Sequence, residues 1–197
     1  MNYQEALEKL KNMTPLRITV SGDIGSGKSS FTKHLAEELG VTRIYAGGIF
    51  REEAQRRELA LDDFGALCQQ DESVDHWLDE LMRQKSKINK RGVFEGRTAW
   101  HFVEKPDVKV FLRVDPKTAA ERVWGDQDNP LRVQHDSLEE VQAANVKRKA
   151  SEQARYEKYY QIDVYDENNY DVVIDTSKMT IDEVFETTVI KIAEFLP

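Results

Sequence analysis

Two periodicities alternate along the chain. Short apolar or β-branched runs at residues 16–21 (LRITVS), 43–45 (RIY), 93–95 (VFE), 108–114 (VKVFLRV) and 171–175 (DVVID) read as buried strands. Between them, apolar residues return at helical spacing, as Phe31, Leu35 and Leu39 do in the stretch that starts at Lys28. The same reading predicts helices over 49–59, 61–70, 73–89, 116–124, 138–160 and 181–195. Strand and helix in alternation imply an α/β fold: a parallel sheet covered on both faces, with ligands bound beyond the carboxyl ends of its strands. Two segments depart from the rhythm. Residues 1–14 carry Glu5, Leu7, Leu10 and Lys11 in an amphipathic helical pattern that Thr14-Pro15 stops, and they read as an N-terminal helical extension outside the main fold. Residues 125–137 (GDQDNPLRVQHDS) are polar and rich in turn formers, and they read as a mobile loop between two helices.

Composition narrows the class. At 197 residues the chain is expected to form a single domain over 15–197, with no linker that would separate a second one. No apolar run approaches the roughly 20 residues of a bilayer span, and the start of the chain lacks the basic-then-apolar order of a secretory signal. No membrane association and a cytoplasmic location are therefore expected. Acidic residues outnumber basic ones, 36 to 28, for a formal net charge of −8, which disfavours nucleic acid as a partner and leaves a small anion held by local cations. The one cysteine, Cys68, has no second cysteine to pair with and reads as structural. The four histidines form no pair at ligand spacing. No extensive apolar face is evident, and a monomer is expected.

The strongest chemical signal is Gly22-Asp23-Ile24-Gly25-Ser26-Gly27-Lys28-Ser29, which fits G-x-x-x-x-G-K-[ST] without a gap, between a predicted strand and a predicted helix. Glycines let backbone amides turn toward phosphate oxygens, and the helix behind them contributes its positive end. Lys28 neutralises the β- and γ-phosphates, and Ser29 can ligate Mg²⁺. The motif specifies a nucleoside triphosphate, but it does not separate a small-molecule kinase from a GTPase, a motor or a switch.

Three further segments bear on that choice. Ala46-Gly47, before Gly48-Ile49-Phe50-Arg51, makes a small-residue turn after the second strand, with Arg51 following as a cation for a second anion or as an exposed helical arginine. Glu95-Gly96-Arg97 ends the third strand, either as a local salt bridge or as a carboxylate ordering magnesium waters beside a phosphate-binding arginine. Arg122 precedes the polar loop, Arg132 lies in it, and Arg148 and Arg155 share a helix face with Ser151 after it. That face is either a solvated charged surface or the underside of a lid over 122–150, which would spread positive charge on a moving phosphoryl group and exclude water.

Taken in order, the phosphate loop, A-G-x-I-F-R at residues 46–51, E-G-R at 95–97, R-x-x-S-E-x-x-R-Y at 148–156, Y-Y-x-I-D at 159–163 and Y-D-x-V-I-D-T-S at 170–177 resemble the cytidylate kinases, and among them the short archaeal-type branch. The resemblance covers roughly residues 16–195. It implies the nucleoside monophosphate kinase form of the P-loop NTPase fold: a three-layer α/β/α sandwich with a five-stranded parallel sheet, an acceptor-binding helical region over about 47–90, and a mobile lid. It further implies transfer of the γ-phosphoryl of Mg·ATP to CMP or dCMP. Residues Gly22 to Ser30, including Lys28, Ser29 and Ser30, would hold ATP and magnesium. Ala46, Gly47, Arg51, Glu95, Gly96 and Arg97 would surround the acceptor, and Arg122, Arg132, Arg148 and Arg155 would reach the transferring group. Tyr45, where the family usually has serine, Gly48, where it tends to have a polar residue, and the region 124–130 depart from its pattern, as does the N-terminal segment. Two other readings stay open at this point: a phosphoryl acceptor other than CMP, and a non-catalytic nucleotide-dependent module whose N-terminal helix docks a partner.

Overall fold

The computed structural model describes residues 1–126 and 134–197. In chain order it contains helix Tyr3–Asn12 (α1), strand Leu16–Gly22 (β1), helix Lys28–Leu39 (α2), strand Thr42–Tyr45 (β2), and helices Ala46–Arg56 (α3), Leu61–Gln70 (α4) and Ser73–Ile88 (α5). These are followed by strand Arg91–Glu95 (β3), helix Ala99–Phe102 (α6), strand Val108–Arg113 (β4), and helices Pro116–Trp124 (α7) and Leu138–Tyr160 (α8). A 3₁₀ turn at Glu167–Asn169, strand Val172–Asp175 (β5) and helix Ile181–Phe195 (α9) complete the described chain. The strands form one parallel sheet in the order β2-β3-β1-β4-β5.

Alternation of side chains along each strand sends neighbouring residues to opposite layers. In β3, Val93 joins a core with Ile18, Val20, Leu35 and Ile192, whereas the next residue, Phe94, packs on the other face with Ile44, Met82, Ala99 and Val103. Burial on both faces is why these strands read as continuous apolar runs. The register places Tyr45 beside Glu95 and Glu95 beside Val20, two residues before Gly22, so the carboxyl ends of β2, β3 and β1 open side by side.

The amino-terminal helix does not stand apart from the domain. Ala6, Leu7 and Leu10 are buried in the same core as α2 and α9. Its ends are tied as well: Lys9 Nζ donates to the carbonyls of Ala193 and Leu196 at the end of α9 (2.9 and 2.7 Å), and Arg91 donates to Lys11 O (2.9 Å). The apolar stripe expected of an extension is thus satisfied within the chain. Two other boundaries differ from the sequence reading. Helix α3 starts at Ala46 rather than 49, with two glycines in its first turn, where propensity is poor. The four-residue α6 is too short to show a period. Of the segment expected as a mobile loop and lid, residues 127–133, including Arg132, lie outside the described residues.

Candidate active site

Glycine is needed at the turn out of β1 for two reasons. Gly22 has φ +144°, and a Cβ there would lie 2.1 Å from the Leu112 carbonyl oxygen on the neighbouring strand. Gly25 (φ +75°) similarly passes close to the Ala119 backbone, and Gly27 (φ +84°) leads into α2. The resulting loop wraps the Lys28 side chain, whose ammonium donates to Gly22 O (2.8 Å), to Asp23 O and to Ser26 Oγ. Ser26 Oγ in turn donates to Asp23 O at 2.9 Å. Burial, with the positive charge of Arg97 nearby, pushes the Lys28 pKa well below the usual lysine value, despite Glu95, Glu152 and Asp23. A cation so placed is bound by carbonyl dipoles and gains strongly from an anion in the loop. Ile24 does not face this space; it packs with Ala120, Val123 and Val141, which fastens the loop to α7 and α8. Ser30 is exposed on the first turn of α2.

At the end of β3, Glu95 is 3% exposed and fully engaged. Its Oε1 accepts from Ser29 Oγ (2.8 Å), and its Oε2 accepts from Thr32 Oγ1 and from Arg43 Nη2, both at 2.6 Å. Glu95 and Arg97 do not pair with each other: Glu95 bridges to Arg43, and Arg97 bridges elsewhere. Arg97 Nη1 donates to Gly22 O, and its Nε donates to Glu152 Oε2 at 2.7 Å. Gly96 lies between them where a Cβ would approach that of Ala46 to 3.1 Å, so the ends of β2 and β3 meet through small residues.

Helix α8 completes the cluster from above. Glu152 accepts from Arg97, from Arg148 Nε (2.9 Å) and from the Tyr165 hydroxyl (2.8 Å). Burial alone would raise the pKa of this carboxyl, but the charges of Arg97 and Arg148 overcome it and hold Glu152 well below the usual carboxylate range. Lys149 Nζ reaches Asp23 Oδ1 at 2.7 Å and lies 4.3 Å from the Tyr165 ring, while Asp23 Oδ2 accepts from Val114 N. Arg155 turns the other way, with Nε 2.9 Å from Asp75 Oδ2 on α5 and Nη2 donating to the Tyr156 hydroxyl. Below that pair, the buried Asp79 accepts from Thr98 Oγ1 (2.6 Å) and Tyr160 OH (2.5 Å). On α3, Arg51 donates to Tyr45 OH (2.7 Å) and Gly47 O (3.1 Å).

The structure therefore brings Arg97 and Arg148 together around Glu152, with Arg97 also on the phosphate loop at Gly22; Ser29 and Glu95 pair with each other, Arg51 pairs with Tyr45 and Arg155 with Asp75. It does not bring Arg122 there. That guanidinium donates to Thr176 Oγ1, Thr176 O and Met179 O, which uses it to tie the end of α7 to the segment after β5. Lys149, Tyr165, Asp75 and Asp79 were not legible as site residues, and Glu152, although a fixed letter of the R-x-x-S-E-x-x-R-Y segment, was not singled out. One signal was present: Asp75 and Asp79 fall at i and i+4 within the apolar stripe Val74, Leu78, Met82 of α5, where a solvated helix would not place carboxylates. Cys68 is buried, and burial pushes its thiol pKa up to about 11, as expected of a structural cysteine.

Among the described residues, no helix is long and apolar enough to cross a membrane, and no cluster of three or more histidine, cysteine or acidic side chains could hold a metal on its own. In known structures the same fold recurs in shikimate kinase from Bacteroides thetaiotaomicron, with a TM-score of 0.60 at 16% identity, covering 91% of this chain and 97% of that one. An uncharacterized protein from Eubacterium ventriosum matches with a TM-score of 0.65 at 18% identity, covering 90% of this chain and 98% of that one. In sequence, the chain is 36% identical to the cytidylate kinase of Methanospirillum hungatei over 85% of its length and 91% of the relative's. It is 38% identical to that of Methanocella arvoryzae over 82% of its length and 87% of the relative's. A sequence model described as the cytidylate kinase-like family matches residues 17–178. With its phosphate loop, its ordered arginines and these relatives, the chain belongs to the cytidylate kinase-like family.

Proposed function

We propose that the protein transfers the γ-phosphoryl group of ATP to CMP or dCMP, giving ADP and CDP or dCDP. The observation that carries this reading is the placement of Lys28, Arg97 and Arg148 on three different elements around Gly22 O and Glu152, at the carboxyl ends of β1 and β3. Three converging cations suit a group that carries charge on several equatorial oxygens during transfer. The cytidylate kinase name of the relatives supports CMP as the acceptor. The non-catalytic alternative finds no support in the N-terminal helix, whose apolar face is covered by its own chain.

In this reading the loop amides from Gly22 to Ser30 hold the triphosphate, and Lys28 exchanges its carbonyl partners for phosphate oxygens. Ser29 Oγ at the start of α2 and Glu95 at the end of β3, two hard oxygen donors 2.8 Å apart, fit Mg²⁺: Ser29 would hold it directly and Glu95 through water. When bound, magnesium neutralises charge on the β- and γ-phosphate oxygens. Arg51 and Arg97, with Ala46, Gly47 and Gly96 lining the approach, orient the acceptor phosphate. One of that phosphate's oxygens attacks the γ-phosphorus as the bond to the β–γ bridging oxygen breaks, and ADP departs. The acceptor phosphate is already anionic at neutral pH, so the chain needs to position it rather than deprotonate it. Arg148, in a lid over about 122–150, and Arg155, beyond it on the same helix, supply charge, with Arg132 also in the lid; the buried residues of that helix are Val141, Glu152 and Tyr156. A helix with so little apolar anchorage is suited to open and close. The reading extends to a cytoplasmic monomer without a nucleic-acid partner, for which the net charge of −8 is the support against polyanions.

The test is ADP release from Mg·ATP with CMP, dCMP, UMP, AMP and GMP as acceptors, beside a control with none and beside Lys28→Ala. Release should depend on CMP or dCMP and fall by orders of magnitude in the variant, with its unfolding temperature retained. Release with no acceptor in the set, or near-normal turnover in Lys28→Ala, would overturn the reading.

A further inference from the structure

Tyr45 and the two glycines that follow it make one steric unit. Tyr45 ends β2 beside Glu95 and caps the start of α3. Its ring folds back over the first turn of that helix. A Cβ on Gly47 would lie 2.8 Å from the ring's Cε2, and one on Gly48 would lie 2.9 Å from its Cδ1, both closer than real contacts allow. Neither glycine has a positive φ, so backbone conformation does not demand glycine at either position. Glycine is, after proline, the residue a helix tolerates least. What two successive glycines provide here is the room that the ring occupies.

The ring also sits between two cations. The Arg43 guanidinium carbon is 4.3 Å from the ring centroid, and that of Arg51 is 5.4 Å away. The phenol oxygen accepts from Arg51 Nη1 at 2.7 Å, and Gly47 O accepts from the same nitrogen at 3.1 Å. Arg43 is held at its far end by Glu95. The Nε atoms of Arg43 and Arg51 are both buried, and neither has a hydrogen-bond partner among the described residues. Buried guanidinium donors left without partners are costly, and an anion that reaches them recovers that cost.

We propose that Tyr45 is the positioning residue of the acceptor-phosphate site, holding the Arg51 guanidinium in place through its hydroxyl and ring, with Gly48 as the clearance this requires beside Gly47, a glycine the A-G-x-I-F-R pattern already carries. The proposal rests on the reading of Arg51 as a ligand of the acceptor phosphate. A ring is stiffer than the arginine it holds, because it has two side-chain torsions against four, so Arg51 is ordered before substrate arrives and less freedom is lost on binding. The same contact links the acceptor side to the Glu95–Ser29 side of the site through Arg43, so the ring touches both cations that flank the sheet end.

The glycines make the test discriminating. Adding a methyl at Gly48 improves helix propensity and requires only that the ring swing away, so Gly48→Ala displaces Tyr45 in a chain that still folds. Steady-state kinetics with ATP and CMP would be measured on the wild type, Tyr45→Phe, Gly48→Ala, Tyr45→Ser, the double variant Tyr45→Ser/Gly48→Ala, and Arg51→Ala, with unfolding temperatures recorded for each. Tyr45→Phe and Gly48→Ala should each raise the KM for CMP about tenfold, the size expected for one hydrogen bond to a charged group, and raise the KM for ATP much less. Gly48→Ala should add nothing further once Tyr45 is serine. If Arg51→Ala raises the KM for CMP and neither Tyr45→Phe nor Gly48→Ala does, the role of Tyr45 is overturned and the acceptor reading stands. Equal effects on both substrates, or a Gly48→Ala effect that persists beside Tyr45→Ser, would also overturn it. If Arg51→Ala leaves the KM for CMP unchanged, or the wild type phosphorylates no acceptor, both readings fall together.

Discussion

Arg97 and Glu152, 55 residues apart in sequence, meet at 2.7 Å and so join the end of β3 to the middle of α8. Both are largely buried, and the pair shifts each in the direction that favours its charged form: Glu152 falls well below the usual carboxylate range, and Arg97 rises above an already high value despite its burial. The contact ties α8 to the end of β3 beside Gly22 and places a carboxylate between the guanidinium groups of Arg97 and Arg148.

Removing one partner of such a pair leaves the other buried and alone, which costs about 3–5 kcal/mol in comparable cases. Glu152→Ala should therefore lower the unfolding free energy at pH 7 by about 3 kcal/mol, and Glu152→Gln by less, since an amide oxygen still accepts from Arg97. Because the folded-state pKa is depressed, this contribution is complete above the unfolded carboxyl value of 4.5 and fades as the pH falls below it. Urea unfolding of both variants at pH 7 and in acid checks it; a cost that does not shrink in acid would contradict the assigned ionisation.

Asp79 has the opposite sign. Burial pushes its pKa from 3.8 up to about 6, against the hydrogen bonds of Thr98 and Tyr160 and with help from the charge of Asp75. The folded chain then binds this proton more tightly than the unfolded chain, so the group costs stability as pH rises through that window. A shift of this size corresponds to about 3 kcal/mol. Asp79→Asn should gain on the wild type by about that amount between pH 4 and pH 7, and thermal unfolding across that range measures it. A difference that is flat with pH would refute the shift.

Arg155 and Asp75 form the second buried pair, at 2.9 Å between α8 and α5. Burial raises the Asp75 pKa, and the Arg155 charge is the main influence holding it down. Arg155→Ala should destabilise the protein by about 3 kcal/mol, and adding Asp75→Asn should restore a large part of it. If Arg155 also acts on the transferring group, kcat falls more than the KM for ATP rises, in both the single and the double variant. Stability rescued together with kcat would show a purely structural role.

The core position of α1 carries its own expectation. Leu10 is fully buried beside Leu16 and Ile192, so Leu10→Ala should cost about 2–5 kcal/mol, as for other large-to-small core changes. A cost under about 0.5 kcal/mol, the range of surface substitutions, would return the helix to the status of an appendage. Chemical denaturation of the full chain decides between them.

The elements whose signals are local were legible from the chain alone. Strand β1, the phosphate loop and α2 follow from an apolar run, spaced glycines and a helical period within 24 residues, and each is set by short-range sterics and backbone hydrogen bonding. The alternation of strands and helices likewise implied the parallel sheet, because buried strands joined by helices have few other ways to pair. The family resemblance named the arginines but not their partners. That Glu95 pairs with Arg43 rather than Arg97, that Glu152 reaches Arg97, and that Arg122 leaves the site for Thr176 are contacts across 52, 55 and 54 residues. No periodicity encodes them. A charged side chain has several candidate partners of opposite sign in the sequence, and only the packed sheet, by fixing which strand ends lie side by side and which helix crosses them, decides which one it reaches. The same holds for Tyr45: Gly47 and Gly48 read as part of a small-residue turn, and only in three dimensions do they border the space taken by a ring.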